Sequence, residues 1–266
     1  MKRLTLAELA GRACLDLRPS SEYFRGHLPG AVNIPLEELA RRLHELPPRG
    51  EELLLFGPRA EEAARFLAKR PRWELALCEE PLPPEGLSFD AEAPLWKPNP
   101  WLAEHWQRIP RGGCVMDVAM GTGRDAVFLA MRGFRVEGED ILPEAVAKAR
   151  DLAERHGVSI DARVADLTRS DPLPQAAFDG ILVFNYLDRS LFPDLQRALA
   201  PGGVLLCETF LRGQEKLGSP KRPEHLLEAN ELRAAFEGLQ ILEYREGLSS
   251  PRRSTASLLA RRSGKS

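Results

Sequence analysis

The stretch Val115-Met-Asp-Val-Ala-Met-Gly-Thr-Gly-Arg-Asp125 decides how the second half of this 266-residue chain folds. Its first residues are apolar, which predicts a buried strand at about 114–118, and a helical pattern follows at about 124–132. Between them, Gly121 and Gly123 can adopt backbone conformations that other residues rarely reach, so the chain can turn tightly and approach a ligand closely. The stretch therefore predicts a strand, a glycine-rich loop and a helix that together hold a ligand.

Strands and helices alternate through the rest of this half of the chain. Further strands are predicted at 135–140, 160–164, 178–184, 203–210, 239–246 and 254–260, with helices at 143–156, 189–200 and 229–236. This alternation is typical of a parallel, doubly wound α/β sheet, which binds its ligand at the carboxyl ends of the strands. We therefore expect one α/β domain over about 111–262.

The glycine-rich stretch resembles the nucleotide-binding motif of class I S-adenosylmethionine-dependent methyltransferases, which have a Rossmann-like fold. The resemblance implies that S-adenosylmethionine is the cofactor, with Gly121 and Gly123 beside it. It also implies that Asp117 accepts a hydrogen bond from the cofactor's ammonium group, and that the following helix directs its N-terminus to the methionine carboxylate. Ala119 stands where the family pattern has its first glycine, so its methyl group would lie close to the cofactor.

Three further matches to this family follow in the expected order along about 150 residues. Asp140, followed by Ile141, ends the second strand, where the family has an acidic residue that binds both ribose hydroxyls. Asp166 and Leu167 follow the third strand, and they resemble the stretch that contacts adenine. The turn Leu199-Ala-Pro-Gly-Gly203 resembles the one before the fifth strand. Dinucleotide enzymes have a similar glycine-rich loop, but the three matches together favour a methyltransferase.

A closer resemblance is to small-molecule methyltransferases of the tellurite-resistance type. It is carried by Gly123-Arg-Asp-Ala126 and by Asn185-Tyr-Leu-Asp-Arg189, and it adds Asn185 to the cofactor-binding residues. A protonated acceptor would need a base. The candidates, each of which also suits a packed, capping or solvated role, are Tyr186, Asp188, Glu208 and His225. We expect residues 209–227, which look too irregular for a helix or strand, to form a mobile cover over the acceptor.

The first 80 residues predict a second, smaller parallel α/β domain. Strands are predicted at 13–17, 53–56 and 74–78, and helices at 36–46 and 59–69. Prolines crowd residues 81–110, which predicts an extended linker. Its tryptophan-bearing part, including a short helix at about 101–108, is expected to pack on the second domain.

The first domain resembles rhodanese-like sulfurtransferase domains in Asp16-Leu-Arg18, Gly26-His-Leu28 and Asn33-Ile-Pro35. In active members, a nucleophilic cysteine follows the strand that corresponds to 53–56 and carries the sulfur. Here Phe56-Gly-Pro-Arg59 occupies that place, and a phenylalanine offers no thiolate. We therefore expect a catalytically silent domain that binds a protein partner or regulates the second domain.

Composition argues against several function classes. The 37 basic and 39 acidic residues give a net charge of -2, so no overall field attracts nucleic acid or an anionic membrane. The four cysteines lie far apart without a CxxC pair, so neither a metal site nor a disulfide framework is expected. No apolar stretch reaches the roughly 20 residues that span a bilayer. We expect a cytoplasmic protein that does not bind membranes.

The sequence thus favours a methyltransferase that acts on an unidentified small-molecule acceptor. One alternative is a non-enzymatic cofactor-binding or sensor protein, which Ala119 and the missing sulfur-transfer cysteine would suit. A second is an RNA-modifying methyltransferase, which would need a basic patch at the pocket. The notable basic cluster consists of Arg212, Lys216, Lys221 and Arg222. Nucleic acid is disfavoured as a partner because no Asn-Pro-Pro-Tyr type motif, typical of enzymes that methylate amino nitrogens, follows Phe184.

Overall fold

Two α/β units make up the protein. The computed structural model describes residues 2–9, 11–70, 72–168 and 173–264, and it divides into Met1–Lys97 and Pro98–Ser266. Each unit contains a mainly parallel sheet with helices, so the predicted fold class is confirmed. Within the described ranges, no helix is both long enough and apolar enough to cross a membrane.

The first unit is built on five parallel strands. Its elements are β1 (Lys2–Arg3), α1 (Leu6–Leu9), β2 (Cys14–Asp16), α2 (Ser20–Tyr23), β3 (Ala31–Asn33), β4 (Glu52–Phe56), α3 (Ala60–Ala68) and β5 (Glu74–Cys78). The strand order is β1-β5-β4-β2-β3. Side chains of β4 alternate between two cores, because Leu55 packs in one and Leu54 and Phe56 pack in the other.

Residues 36–46 do not form the α-helix that the sequence predicts. They form successive turns that lead to a 3-10 helix at Leu43–Glu45. The backbone N–H of Leu36 donates to the carbonyl of Leu17, which ties the start of the segment to the sheet. Leu39 and Leu46 are buried, so the helix-like spacing of apolar residues reflects burial along a turning segment.

The proline-rich stretch up to residue 97 belongs to the first unit. Leu82 and Leu95 pack against its two cores, and Ser88 pairs with His27 in an isolated β-bridge. The linker that the sequence predicts over residues 81–110 contains the point at which the two units divide, between Lys97 and Pro98.

The second unit contains the glycine-rich stretch. Its elements are α4 (Pro100–His105), β6 (Cys114–Val118), α5 (Arg124–Ala130), β7 (Arg135–Asp140), α6 (Pro143–Arg155), β8 (Asp161–Val164), β9 (Phe178–Phe184), α7 (Phe192–Ala198), β10 (Leu199–Phe210), α8 (Gln214–Leu217), α9 (Glu231–Ala235), β11 (Gln240–Ser250) and β12 (Arg253–Arg261). The predicted strands are confirmed to within a few residues. The predicted helix at 189–200 is shorter, because a 3-10 helix at Arg189–Leu191 precedes α7 and β10 already begins at Leu199.

The second sheet has the strand order β11-β12-β10-β9-β6-β7-β8. Strands β10, β9, β6, β7 and β8 are parallel, and β12 is antiparallel to both of its neighbours. From β6 the chain moves to β7 and β8 on one side and later to β9 and β10 on the other. The connections therefore diverge between β6 and β9, which is where a doubly wound sheet leaves a crevice for a ligand.

Residues 209–227 are more regular than the sequence suggests. They include α8 and a 3-10 helix at Pro223–His225, and Leu226 and Leu227 are buried. The prediction that this stretch contains no regular element is therefore wrong.

Candidate cofactor-binding site

A cavity of about 420 Å³ lies at the carboxyl ends of β6, β7 and β9. This is the crevice that the topology of the second sheet leaves open. Its lining residues are Asp117, Ala119, Met120, Gly121, Thr122, Arg124, Asp125, Asp140, Phe184, Asn185 and Tyr186. Six residues that the sequence analysis selects come together there: Asp117, Ala119, Gly121, Asp140, Asn185 and Tyr186.

The two glycines of the loop differ in what they contact. Both have positive φ angles, 57° at Gly121 and 76° at Gly123. A Cβ on Gly121 would meet no atom within 4 Å, so this residue leaves room next to the cavity. A Cβ on Gly123 would lie 2.5 Å from the Cβ of Ala149, so this glycine lets α5 pack against α6. Gly123 is not among the residues that line the cavity.

Ala119 adopts a left-handed backbone conformation, with φ of 54°. Glycine reaches this conformation without cost, whereas a residue with a Cβ loses about 1–2 kcal/mol. Ala119 therefore keeps the backbone shape of a glycine-rich loop and adds one methyl group to the cavity wall.

Asp140 connects β7 to the glycine-rich loop. Its Oδ2 accepts a hydrogen bond from the backbone N–H of Gly121, and its Oδ1 accepts one from that of Leu142, both at 2.9 Å. The residue is buried, yet it lines the cavity. Because each carboxylate oxygen can accept more than one hydrogen bond, Asp140 can still accept from two hydroxyl groups of a ligand.

Asp117 and Asp125 make the cavity electrostatically unusual. Asp117 is only 3% exposed, and its Oδ2 has no hydrogen-bond partner among the described residues. Burial, followed by the nearby Asp125 carboxylate, raises the pKa of Asp117 well above its usual range. Burial also raises the pKa of Asp125, to about 6. A buried carboxylate with one oxygen that lacks a partner is stabilised by a cationic donor, so this arrangement fits the ammonium group of S-adenosylmethionine.

Arg124 supplies positive charge to the same cavity. Its guanidinium has no ion-pair partner in the described part of the chain. A planar guanidinium suits a carboxylate, because it can donate two parallel hydrogen bonds. The lining therefore combines acceptors for an ammonium group and hydroxyls with a donor for a carboxylate.

Besides Gly123, three predicted cofactor-binding residues do not line this cavity: Ile141, Asp166 and Leu167. Ile141 follows β7 and is 59% exposed. Asp166 accepts hydrogen bonds from the backbone N–H and the hydroxyl of Thr168, at 3.0 and 2.6 Å. Leu167 packs against the apolar core next to β9.

The four candidate bases lie in different environments. Tyr186 lines the cavity, but burial raises the pKa of its hydroxyl, which opposes deprotonation near neutral pH. Asp188 caps a 3-10 helix by accepting from Ser190, and His225 is exposed. Glu208 is buried at the end of β10 and accepts a hydrogen bond from Ser257 at 2.8 Å. Of the four, only Tyr186 is among the cavity-lining residues.

Asn99 is a residue near the site that the sequence analysis does not select. Its backbone N–H donates to Asp125 at 2.6 Å, and its side-chain Nδ2 donates to Glu208 at 3.2 Å. Its own Oδ1 accepts from the backbone N–H of Trp101, so Asn99 is the N-cap of α4. The Asn-Pro pair is a recognisable signal for the start of a helix. The contact of Asn99 with Glu208 joins residues 109 positions apart, and such a contact leaves no periodic pattern in the sequence.

A group of possible metal ligands lies away from the cavity. Atoms of Glu104, His105 and Glu243 lie within 4.8 Å of one another. Arg245 donates to Glu104 at 2.7 and 2.9 Å and also to Glu243, so the charges of both carboxylates are already paired. This arrangement is an ion-pair cluster.

In the first unit, Phe56 is buried at the end of β4, and only residues 57–59 separate it from α3. The guanidinium of Arg18 lies 5.4 Å from the centre of its ring. Cys78 is buried at the end of β5, and burial raises the pKa of its thiol. Burial also raises the pKa of Cys14, to about 12. Both changes reduce the fraction of reactive thiolate.

Similarity to known families covers both units. Residues 115–203 match the Methyltransferase domain family, and residues 4–75 match the Rhodanese-like domain family. Protein UNK4.09 of Schizosaccharomyces pombe is 23% identical, and the match covers 88% of this chain and 87% of the yeast protein. That alignment is long enough to include both units.

Two further relatives match the second unit. Ubiquinone biosynthesis O-methyltransferase of Paramagnetospirillum magneticum is 35% identical over 41% of this chain and 45% of its own length. A structure described for the conversion of a disulfide bond into a thioacetal group during echinomycin biosynthesis is 26% identical, with a TM-score of 0.51. That match covers 64% of this chain and 83% of the other.

Apart from the yeast protein, this chain spans 22–48% of the length of the curated relatives that it matches. The family matches agree with the geometry of the cavity, whose polar residues suit S-adenosylmethionine as the cofactor. The chain therefore joins an N-terminal rhodanese-like domain to a C-terminal methyltransferase domain of the S-adenosylmethionine-dependent type.

Proposed function

We propose that the protein transfers a methyl group from S-adenosylmethionine to a small-molecule acceptor. The observation that carries this proposal is the buried, unpartnered Oδ2 of Asp117 in the same cavity as Asp140. A buried carboxyl oxygen without a hydrogen bond is costly, and a ligand that donates hydrogen bonds would offset this cost.

In this proposal, each polar side chain of the cavity has one task. Asp117 accepts from the ammonium group of the cofactor, and Asp140 accepts from its ribose hydroxyls. Arg124 pairs with its carboxylate. When bound, the cofactor supplies a methyl group on a positively charged sulfur. Phe184 and Met120 contribute apolar walls that exclude water from the cavity.

Methyl transfer of this kind asks the protein mainly to align two reactants. Tyr186 lines the cavity next to Asn185, so its hydroxyl is placed to hold an acceptor by a hydrogen bond. Because its pKa is raised, Tyr186 stays protonated near neutral pH and acts as a donor. An acceptor whose attacking atom is already deprotonated fits this site, since it needs no base before it attacks the methyl group.

Calorimetry with the full chain tests the proposal directly. S-adenosylmethionine and S-adenosylhomocysteine should each bind at one site, and Asp117→Asn should weaken binding of both by about tenfold or more. Glu139→Gln is the matched control, because Glu139 precedes Asp140 but does not line the cavity. If the wild type binds neither S-adenosylmethionine nor S-adenosylhomocysteine, the proposal is refuted.

A second experiment, which measures turnover, separates this function from the sensor alternative. A sensor would bind the cofactor and leave it intact, whereas an enzyme converts it to S-adenosylhomocysteine when an acceptor is present. Incubation with a small-molecule extract, followed by mass spectrometry, should detect S-adenosylhomocysteine and one product heavier by a methyl group. If the bound cofactor stays intact in every fraction, the sensor function is the better description.

We further propose that the rhodanese-like domain does not transfer sulfur. Phe56 stands at the end of β4, where active members place their nucleophile, and Cys14 and Cys78 are buried. The full chain should therefore produce no thiocyanate from thiosulfate and cyanide, while an active rhodanese assayed in parallel does. Turnover that disappears in Cys78→Ser would contradict this assignment and locate the nucleophile in β5.

A further inference from the structure

Arg253, at the start of β12, is held in place next to the cofactor cavity. Its Nη2 donates to Oδ1 of Asn185 at 2.7 Å and lies 3.4 Å from Oε1 of Glu208. Its guanidinium carbon also lies 4.8 Å from the centre of the Phe210 ring. Contacts with three side chains thus fix the position of a residue that lies at the end of a hairpin.

Only one nitrogen of this guanidinium, Nη2, has hydrogen-bond partners within the described part of the chain. The nitrogens Nε and Nη1 have no partner among the described residues, and the side chain is 37% exposed. A guanidinium carries five N–H donors, so Arg253 can donate to a further group through Nε or Nη1. Because the contacts of Nη2 already hold the side chain, it loses less conformational entropy when it binds a ligand.

Unlike Arg253, Glu208 has no hydrogen-bonding atom left free for a ligand. It is buried, its Oε2 accepts from Ser257 at 2.8 Å, and its Oε1 accepts from Asn99 at 3.2 Å and from Arg253. Its carboxylate is therefore satisfied from within the fold, and its role is to hold Arg253. The exposed polar group of the pair is the cation.

Arg253 lies on the side of the cavity where we expect the acceptor to bind. Asn185 follows β9, lines the cavity and donates its backbone N–H to the carbonyl of Glu208 at 2.9 Å. In the sheet, β12 and β10 lie on one side of β9, while β6 and β7, which carry Asp117 and Asp140, lie on the other. A cofactor bound at the ends of β6 and β7 would therefore leave the part of the cavity next to Arg253 free for the acceptor.

We propose that Arg253 binds an anionic group of the methyl acceptor, so that the acceptor is a small molecule with a carboxylate or phosphate. This inference rests on the proposed methyl transfer, because it assigns the second ligand of the same cavity. Arg253 is a specificity-determining residue here. It selects an acceptor by charge and takes no part in breaking or forming a bond.

The test uses the full chain saturated with S-adenosylhomocysteine and labelled with 15N-arginine. Sodium acetate and sodium phosphate are titrated separately at constant ionic strength, and the Nε–H signal of Arg253 is followed. We expect saturable binding of at least one anion, and the two titrations distinguish a carboxylate site from a phosphate site. Absence of saturation with both anions would overturn the proposal.

Three variants complete the test, with binding of the anions followed by calorimetry. Arg253→Ala should weaken anion binding by about tenfold or more, and Arg253→Lys should retain part of it. Arg252→Ala is the matched control, since Arg252 is the neighbouring, exposed arginine, and it should bind like the wild type. Equal anion affinities of Arg253→Ala and the wild type, or equal losses in Arg253→Ala and Arg252→Ala, would overturn the proposal.

Binding of S-adenosylhomocysteine is measured first in every variant, which keeps two failures apart. If all proteins bind it and only the anion titration fails, the role of Arg253 is wrong while the cofactor assignment stands. If the wild type does not bind it, the proposed function fails. The anion titration without cofactor then still shows whether Arg253 binds anions.

Discussion

Oδ2 of Asp140 accepts a hydrogen bond from the backbone N–H of Gly121 at 2.9 Å. This bond joins the end of β7 to the loop that follows β6, so one carboxylate both holds the loop and lines the cavity. The shape of the loop and the affinity for a ligand therefore depend on the same side chain.

Replacing Asp140 should weaken cofactor binding. We expect Asp140→Ala to reduce the affinity for S-adenosylhomocysteine by about 1.5–3 kcal/mol, the usual loss when hydrogen bonds to a charged group are removed. Calorimetry gives the affinity, and Glu139→Ala serves as the control because it changes the neighbouring acidic residue. If Glu139→Ala has the larger effect, the ribose contact belongs to Glu139.

Gly123 should be sensitive to substitution because of helix packing. In Gly123→Ala, the new Cβ would lie 2.5 Å from Ala149 at a backbone φ of 76°, so overpacking adds to backbone strain. We expect a loss of about 2–4 kcal/mol in the free energy of unfolding, measured with denaturant. Gly133→Ala has a similar φ of 83° but meets no atom within 4 Å, so it should lose only about 1–2 kcal/mol. Equal losses would show that packing on α6 contributes nothing.

The apolar runs predicted the strands of the second unit well. Nearly every residue of β6 and β9 is buried, so each strand appears in the sequence as a mostly apolar run. The glycine-rich loop and Asp140 were predictable for a related reason, since each directly follows or ends a strand. The segment 36–46 misled the prediction, because burial along turns produces the same spacing as a helix. The contacts of Asn99 with Glu208 and of Arg253 with Asn185 join distant parts of the chain, and local patterns contain no information about them.

The carboxyl pair in the cavity should make stability depend on pH. The pKa of Asp125 is raised from 3.8 to about 6, so the folded state holds its proton more tightly than the unfolded state. Stability from this group is therefore present below about pH 4 and is lost as the pH rises through about 6. We expect Asp125→Asn to raise the free energy of unfolding at pH 7 by about 1–3 kcal/mol and to flatten its decrease between pH 4 and 6.

Denaturant unfolding at several pH values measures this effect. Asp151→Asn is the control, because Asp151 is exposed on α6, and it should leave the pH profile unchanged. A wild-type stability that rises between pH 4 and 6, with the same slope in Asp125→Asn, would contradict the assignment.

Hydrogen bonds hold the segment 209–227 at both ends. Only the stretch between these anchors can move to cover the acceptor. The backbone N–H of Leu227 donates to the carbonyl of Phe210 at 2.8 Å, and the carbonyl of Leu227 accepts from the backbone N–H of Arg212 at 2.9 Å. The buried Gln214 donates to the carbonyl of Arg252 at 3.2 Å and accepts from the backbone N–H of Ser254 at 2.8 Å. The stretch between these anchors, about residues 216–225, is largely exposed.

We predict that residues 216–225 close over the acceptor when both ligand positions are filled. The segment leaves the carboxyl end of β10, next to the strands that form the cavity, so closure would exclude water from the reacting groups. Hydrogen exchange should therefore show protection of these amides in the presence of S-adenosylhomocysteine and an acceptor, with the turn at residues 49–51 of the first unit as an unaffected control. Gln214→Ala should speed up exchange of the same amides without ligand, because it removes one anchor. If residues 216–225 exchange equally fast in free and fully liganded protein, this segment is not the cover, and the tryptophan-bearing α4 region is the next candidate.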